Sequence, residues 1–126
     1  MFRISQYMEE IAHPTPLGEK RNPPGPVVIW NLIRRCNLTC KHCYSISADK
    51  DFPGELSTQE IYGVMDDLKR FHVPVLILSG GEPLLRPDIF DIAQRAKGLG
   101  FYVGLSSNGT LIDESNIRRI AETDFN

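Results

Sequence analysis

All three cysteines of this 126-residue chain fall in one short run, Cys36-Asn-Leu-Thr-Cys40-Lys-His-Cys43. The rest of the chain offers no thiol for a long-range bridge, so a disulfide scaffold is excluded. Clustered cysteines without a secretory context point instead to a metal or to redox chemistry. Thiolates hold iron–sulfur clusters, and a set of three leaves one iron of a cubane without a protein ligand, open to a substrate or cosubstrate. Arg34, Arg35 and Lys41 stand beside the cysteines, where positive charge offsets that of thiolates, although solvated basic side chains beside a loop are commonplace. The rival chemistry is a structural zinc site of the Cys3His kind, in a binding module rather than an enzyme. His42 adjoins Cys43 and is an awkward fourth ligand, while His13 and His72 are distant and lack finger-like spacing. Iron is the expectation and zinc the alternative.

Two further runs carry unusual chemistry. Gly80-Gly81-Glu82-Pro83 joins residues that let a backbone approach another group closely to one that stiffens a turn. Ser106-Ser107-Asn108-Gly109-Thr110 gathers hydroxyls and an amide. Each also reads as an ordinary turn, since Gly, Pro and Asn-Gly are frequent turn formers. Their placement at strand ends is what distinguishes them.

The elements that must present these runs follow from hydrophobic periodicity. Val27-Val-Ile-Trp-Asn-Leu32 is apolar, mostly β-branched and not strictly alternating, the pattern of a strand covered on both faces. Ser57-Thr-Gln-Glu60 has capping-box form, and Ile61, Val64, Met65, Leu68 and Phe71 follow at helical spacing. That predicts an amphipathic helix ending near His72, with Met65 and Phe71 in the core. Val75 to Leu78 reads as a second buried strand, and Pro87 opens a helix that runs to about Leu99 with Gly100 as its stop. Phe101 to Ser106 is the third strand, after which Asp113 caps a helix whose apolar side is Ile117, Ile120 and Ala121. Trp30 is expected to pack as a core aromatic.

Strand then helix, three times over, makes an α/β fold: half of a parallel α/β barrel. Such sheets bind ligands at the C-terminal ends of their strands, and all three unusual runs fall there. Residues 1–26, with Pro14, Pro16, Pro23, Pro24 and Pro26, read as an entry arm with a short helix near Ile4 to Ile11, leaving 27–126 as the domain.

Bulk composition narrows the partners. A content of 41% hydrophobic and 24% charged residues is that of a soluble globular chain. The formal charge of −2, without long runs of one sign, supplies no basic field for nucleic acid. No stretch reaches the ~18–20 apolar residues of a membrane span, and Met1 to Glu19 lacks the apolar core of a secretory signal. A cytoplasmic protein is expected, with neither nucleic acid nor membrane as partner.

Taken together, CxxxCxxC after a first strand, Gly-Gly-Glu-Pro after a second and Ser-Asn-Gly after a third resemble the radical S-adenosylmethionine (radical SAM) superfamily, from Val27 to Asn126. The resemblance implies a (β/α)6 partial TIM barrel, to which this chain contributes the N-terminal half as three βα units behind a Pro-rich arm. It implies Cys36, Cys40 and Cys43 as ligands of a [4Fe-4S] cluster, with the amine and carboxylate of S-adenosylmethionine completing the fourth iron. Ser79, Gly80, Gly81, Glu82 and Pro83 would line the methionine portion, Glu82 adding an anionic acceptor. His42 holds a position usually aromatic in the family, near the adenine, and Tyr44 beside it would shield the cluster or touch that base. Ser107 and Asn108 would meet ribose hydroxyls or the SAM carboxylate. The reduced cluster would cleave SAM to methionine and a 5′-deoxyadenosyl radical that takes hydrogen from the substrate, using electrons from a donor such as a flavodoxin or ferredoxin. That step needs no general base, and no catalytic side chain is assigned.

Within the superfamily, Pro14-Thr-Pro-Leu-Gly, the run from Asn22 to Cys36 and Lys41-His-Cys-Tyr-Ser45 are similar to the branch serving heme d1 biosynthesis. That implies a tetrapyrrole substrate, a didecarboxysiroheme attacked at its propionate side chains, with Arg34, Arg35 or Lys41 as candidates to meet propionates. Relatives that decarboxylate heme side chains or mature peptides share the same motifs and are the alternatives. Family members of this kind carry further cysteines for an auxiliary cluster, and none follows Cys43. Asn126 also falls where a fourth strand is expected. The expectation is therefore a truncated domain that, made alone, is poorly soluble or associates and turns over little.

Overall fold

A computed structural model describes Ala12 and residues 25–125. Apart from Ala12, Gly25 and Pro26, the arm expected over residues 1–26, with its short helix near Ile4 to Ile11 and with His13, lies outside the described residues.

Three parallel strands, β1 (Val27–Ile33), β2 (Val75–Gly80) and β3 (Tyr102–Leu105), form one sheet in the order β1-β2-β3. Each is followed by a helix: α1 (Thr58–Arg70), α2 (Ile89–Gly98) and α3 (Ile117–Thr123), with a 3-10 turn at Pro83–Leu85 between β2 and α2. The α/β class and the threefold strand–helix order are as the periodicity predicted. Register aligns Val28 with Leu76 and Val103, and Trp30 with Leu78 and Leu105. At its end β1 slips by one residue, so that Ile33 rather than Leu32 stands opposite Gly80. This irregularity re-aims the chain just before it enters the cysteine loop.

The ends of the helices show why they form where they do. The Ser57 hydroxyl accepts from the Glu60 amide, and the Glu60 carboxylate accepts from the Ser57 amide at 2.8 Å, a closed capping box. Hydrogen bonds from Ser57 hold the Glu60 carboxyl below its ordinary value. α1 stops at a Schellman turn in which His72 donates to Lys69 and Val73 to Leu68, with His72 at φ +57° in the left-handed region. Phe71 is therefore past the helix and 77% exposed, which corrects its expected place in the core. Met65 is fully buried as predicted. α2 begins at Ile89, two residues later than Pro87, because Pro87 and Asp88 still belong to the connection that follows the 3-10 turn, and Gly100 at φ +83° terminates it. Asp113 accepts from the Ser115 and Asn116 amides in the turn before α3, but the N-cap of α3 is Asn116, three residues later than expected.

The core lies on one side of the sheet. Ile61 and Met65 of α1, with Ile89, Ile92, Ala93 and Ala96 of α2, pack against Leu76, Leu78 and Val103. Val28 and Trp30 are half-buried on the same side. Ile29, by contrast, is 64% exposed, and Val27 and Tyr102 are also open. β1 thus alternates between a packed and an open face, where its apolar composition had suggested cover on both. Among the described residues no helix is long and apolar enough to cross a membrane.

Candidate cofactor site

The cysteine loop leaves β1 and folds back on itself. Arg35 bridges to Ala48, and the Cys36 amide donates to the Ala48 carbonyl at 3.1 Å. Arg34 donates its amide to Glu55 at 2.8 Å and lies 4.3 Å from the centre of the Phe52 ring. Arg35 pairs with Asp49 at 2.9 Å and Asp51 at 3.1 Å. These two arginines close the base of the loop with carboxylates supplied by the returning chain, rather than standing free beside the thiols. Lys41 and His42 are exposed. Tyr44 is exposed too, its hydroxyl donating to Asn31 of β1 at 3.3 Å.

The three thiols are unbridged, Cys36 buried and Cys40 and Cys43 exposed, with the Cys43 amide donating to the Cys40 carbonyl in a tight turn. No group of three His, Cys, Asp or Glu side chains is gathered as around an ion among the described residues. The sequence thus puts three sulfurs on one loop at the C-terminal edge of the sheet without drawing them to a common point. The donor set fits an iron–sulfur group in its chemistry: three reduced thiols, two of them open to solvent, on a loop whose base is fixed. Among the described residues the histidine on this loop is His42, whose place beside Cys43 is an awkward one for the fourth ligand of a Cys3His zinc site.

Gly80-Gly81-Glu82-Pro83 is packed against this loop. A Cβ on Gly80 would stand 2.3 Å from the Ile33 carbonyl oxygen, and one on Gly81 would stand 2.3 Å from that of Arg35. The close approach that requires glycine here is to the exit of β1. The Gly81 amide donates to Ile33 at 2.7 Å and the Glu82 amide to Arg35 at 2.9 Å, carrying strand-like pairing past the end of the sheet. Ser79 and Pro83 are buried. The Glu82 side chain has no exposed surface: one oxygen accepts from the Leu84 amide (3.0 Å) and the Ser107 hydroxyl (2.9 Å), the other from the Asn108 amide (2.8 Å). The carboxylate expected to offer itself to a ligand is engaged by three internal donors, and it ties the second loop to the third.

The third loop in turn reaches the first. Asn108 donates to Asn37 at 3.0 Å and to the Cys36 sulfur at 3.8 Å, and Asn37 donates to Thr110 at 2.7 Å. Sequence reasoning missed Asn37 and Thr110 as partners, and it missed Arg86 and Asp88. Buried Arg86 donates to the carbonyls of Leu32 (3.0 Å) and Leu56 (3.2 Å) and grips Asp88 through two nitrogens. Asp88 also accepts from Thr58 of α1 at 2.7 Å. The bonds from Arg86 hold the Asp88 carboxyl below its ordinary value. An arginine followed by the Pro-Asp that opens a helix was the available signal.

These features define a parallel α/β domain whose strand ends carry an all-sulfur donor loop, braced by two polar loops from neighbouring strands. The radical SAM superfamily model matches residues 30–126, and the chain belongs to that family of enzymes. The family implies an iron–sulfur cluster and S-adenosylmethionine. The chain is 55% identical to the pre-heme d1 synthase of Dinoroseobacter shibae, over 99% of its own length and 31% of that protein. It is 46% identical to the Fe-coproporphyrin III synthase of Methanosarcina barkeri, over 77% of this chain and 24% of that protein. With the AdoMet-dependent heme synthase of Oleidesulfovibrio alaskensis it shares 39% identity, over 82% of this chain and 27% of that protein. The chain thus spans about a third or less of the length of these relatives.

Proposed function

We propose that this chain is the cluster- and SAM-holding part of a radical SAM enzyme that modifies propionate side chains of a tetrapyrrole, a didecarboxysiroheme, in heme d1 biosynthesis. The observation that carries the reading is the convergence of three loops on one sheet edge, joined by Glu82 and Asn108. The 55% identity to a pre-heme d1 synthase supports the choice of substrate. In this reading Cys36, Cys40 and Cys43 hold a [4Fe-4S] cluster. When bound, the cluster supplies the electron that cleaves SAM. Ser79 to Pro83 bound the methionine side of the ligand through backbone groups, Ser107 and Asn108 the ribose or carboxylate side, and His42 and Tyr44 the adenine side. The whole protein completes a (β/α)6 barrel, draws electrons from a flavodoxin or ferredoxin and works in the cytoplasm. The 39% identity to an AdoMet-dependent heme synthase favours heme side-chain decarboxylation as the second reading.

The test is anaerobic iron and sulfide reconstitution of the full-length protein, followed by assay of 5′-deoxyadenosine with a didecarboxysiroheme or an iron-coproporphyrin. We expect cluster-dependent release of the nucleoside and turnover of the first substrate. Cys36→Ala, Cys40→Ala and Cys43→Ala should each abolish SAM cleavage. Stoichiometric zinc without iron–sulfur absorption would replace the enzyme reading with a structural zinc module, and turnover of only the iron-coproporphyrin would replace the substrate.

A further inference from the structure

Asn108 bonds to the sulfur of Cys36, and its orientation is fixed from both ends. Its backbone amide is held by the buried Glu82 carboxylate at 2.8 Å. Its side-chain oxygen accepts from the Thr110 amide at 2.9 Å and from the Thr110 hydroxyl at 2.7 Å. A backbone N–H can only donate, so the Asn108 oxygen must face Thr110 and its NH2 must face the other way. That NH2 meets Asn37 and, at 3.8 Å, the Cys36 sulfur. The Leu38 amide donates to the same sulfur at 3.5 Å. Both hydrogen bonds to cysteine sulfur among the described residues therefore fall on Cys36, the one buried cysteine of the three.

Hydrogen bonds to the sulfurs of an iron–sulfur cluster favour its more negative, reduced state, and they count for more where water is excluded. We propose that Asn108, held in place by Glu82, is a positioning residue that sets the reduction potential of the cluster by donating an N–H to the Cys36 sulfur. The proposal rests on the reading that Cys36 ligates the cluster. The couple concerned is one-electron, from [4Fe-4S]2+ to [4Fe-4S]1+. The electron comes from an external reductant, and neither bond nor proton is exchanged with Asn108.

The experiment is an EPR-monitored redox titration, without SAM, of the reconstituted full-length protein, its Asn108→Leu and Asn108→Ala variants, and Thr110→Val as a control. Leucine keeps the bulk of asparagine without the donor, and alanine removes the donor without adding bulk. Thr110→Val disturbs the same loop, but it leaves the Thr110 amide to orient Asn108. We expect both Asn108 variants to titrate at lower potential than the wild type at equal cluster content, with Thr110→Val unshifted. A wild-type potential in whichever Asn108 variant loads its cluster, or an equal downward shift in Thr110→Val, overturns the proposal. The wild type is read first: if it forms no cluster, the ligand assignment itself fails, a result distinct from an unshifted potential.

Discussion

Gly81 shows how much of the site is decided at single positions. Its missing side chain makes room for the Arg35 carbonyl, a backbone atom that cannot swing away as a side chain could. Gly81→Ala is therefore expected to cost about 3 kcal/mol, the upper end for overpacking, read as a lowered denaturation midpoint of the full-length protein. A variant of wild-type stability would show that the two loops yield to each other. The glycines were legible in sequence as a place of close approach, and the cysteines as an all-sulfur donor set. What the glycines approach was not legible. Nor was the burial of Glu82 against internal donors, because its carboxylate reads as an acceptor offered to a ligand. Its donors Ser107 and Asn108 lie on another loop, and nothing in the local pattern announces them.

Between elements, Arg86 does the joining. It binds the end of β1 through Leu32 and the approach to α1 through Leu56, and it grips Asp88 at the start of α2. Arg86→Met would strand the Asp88 charge with Thr58 as its remaining side-chain partner, a loss of about 3 kcal/mol for breaking a largely buried pair. The pair also titrates. Because Asp88 has a lowered carboxyl pKa when folded, its contribution is complete above the ordinary aspartate value of 3.8 and is lost as pH falls through the depressed one. Urea midpoints measured from neutral to acid pH should show that loss in the wild type and a smaller one in Arg86→Met. Parallel acid profiles in the two proteins would remove Asp88 from the account. The first two helices were legible to within about two residues, as a capping box and glycine stops allow, whereas α3 is capped at Asn116, three residues beyond the expected Asp113. Phe71 misled because the helical spacing of apolar residues continues one step past Arg70, where the helix ends just before His72 turns the chain.

At the scale of the molecule, the sheet is packed on one face and open on the other. Ile29, Val27 and Tyr102 present apolar surface there that water covers poorly. The 126-residue polypeptide made alone is expected to self-associate, and light scattering across a concentration series checks it. A monodisperse monomer at every concentration would count against an adhesive face. That openness could not be read from β1, whose apolar run looks the same whether one side or both are covered. The bond between Asn108 and Cys36 has a further consequence, because it joins positions 72 residues apart. Cys36 leaves the ribosome early in synthesis, but Asn108, its partner from the third loop, follows only after two more strands and two more helices. During synthesis, then, the first thiol of the cysteine loop waits without that partner until β3 has been made and docked, and the loop is finished late although it is translated early.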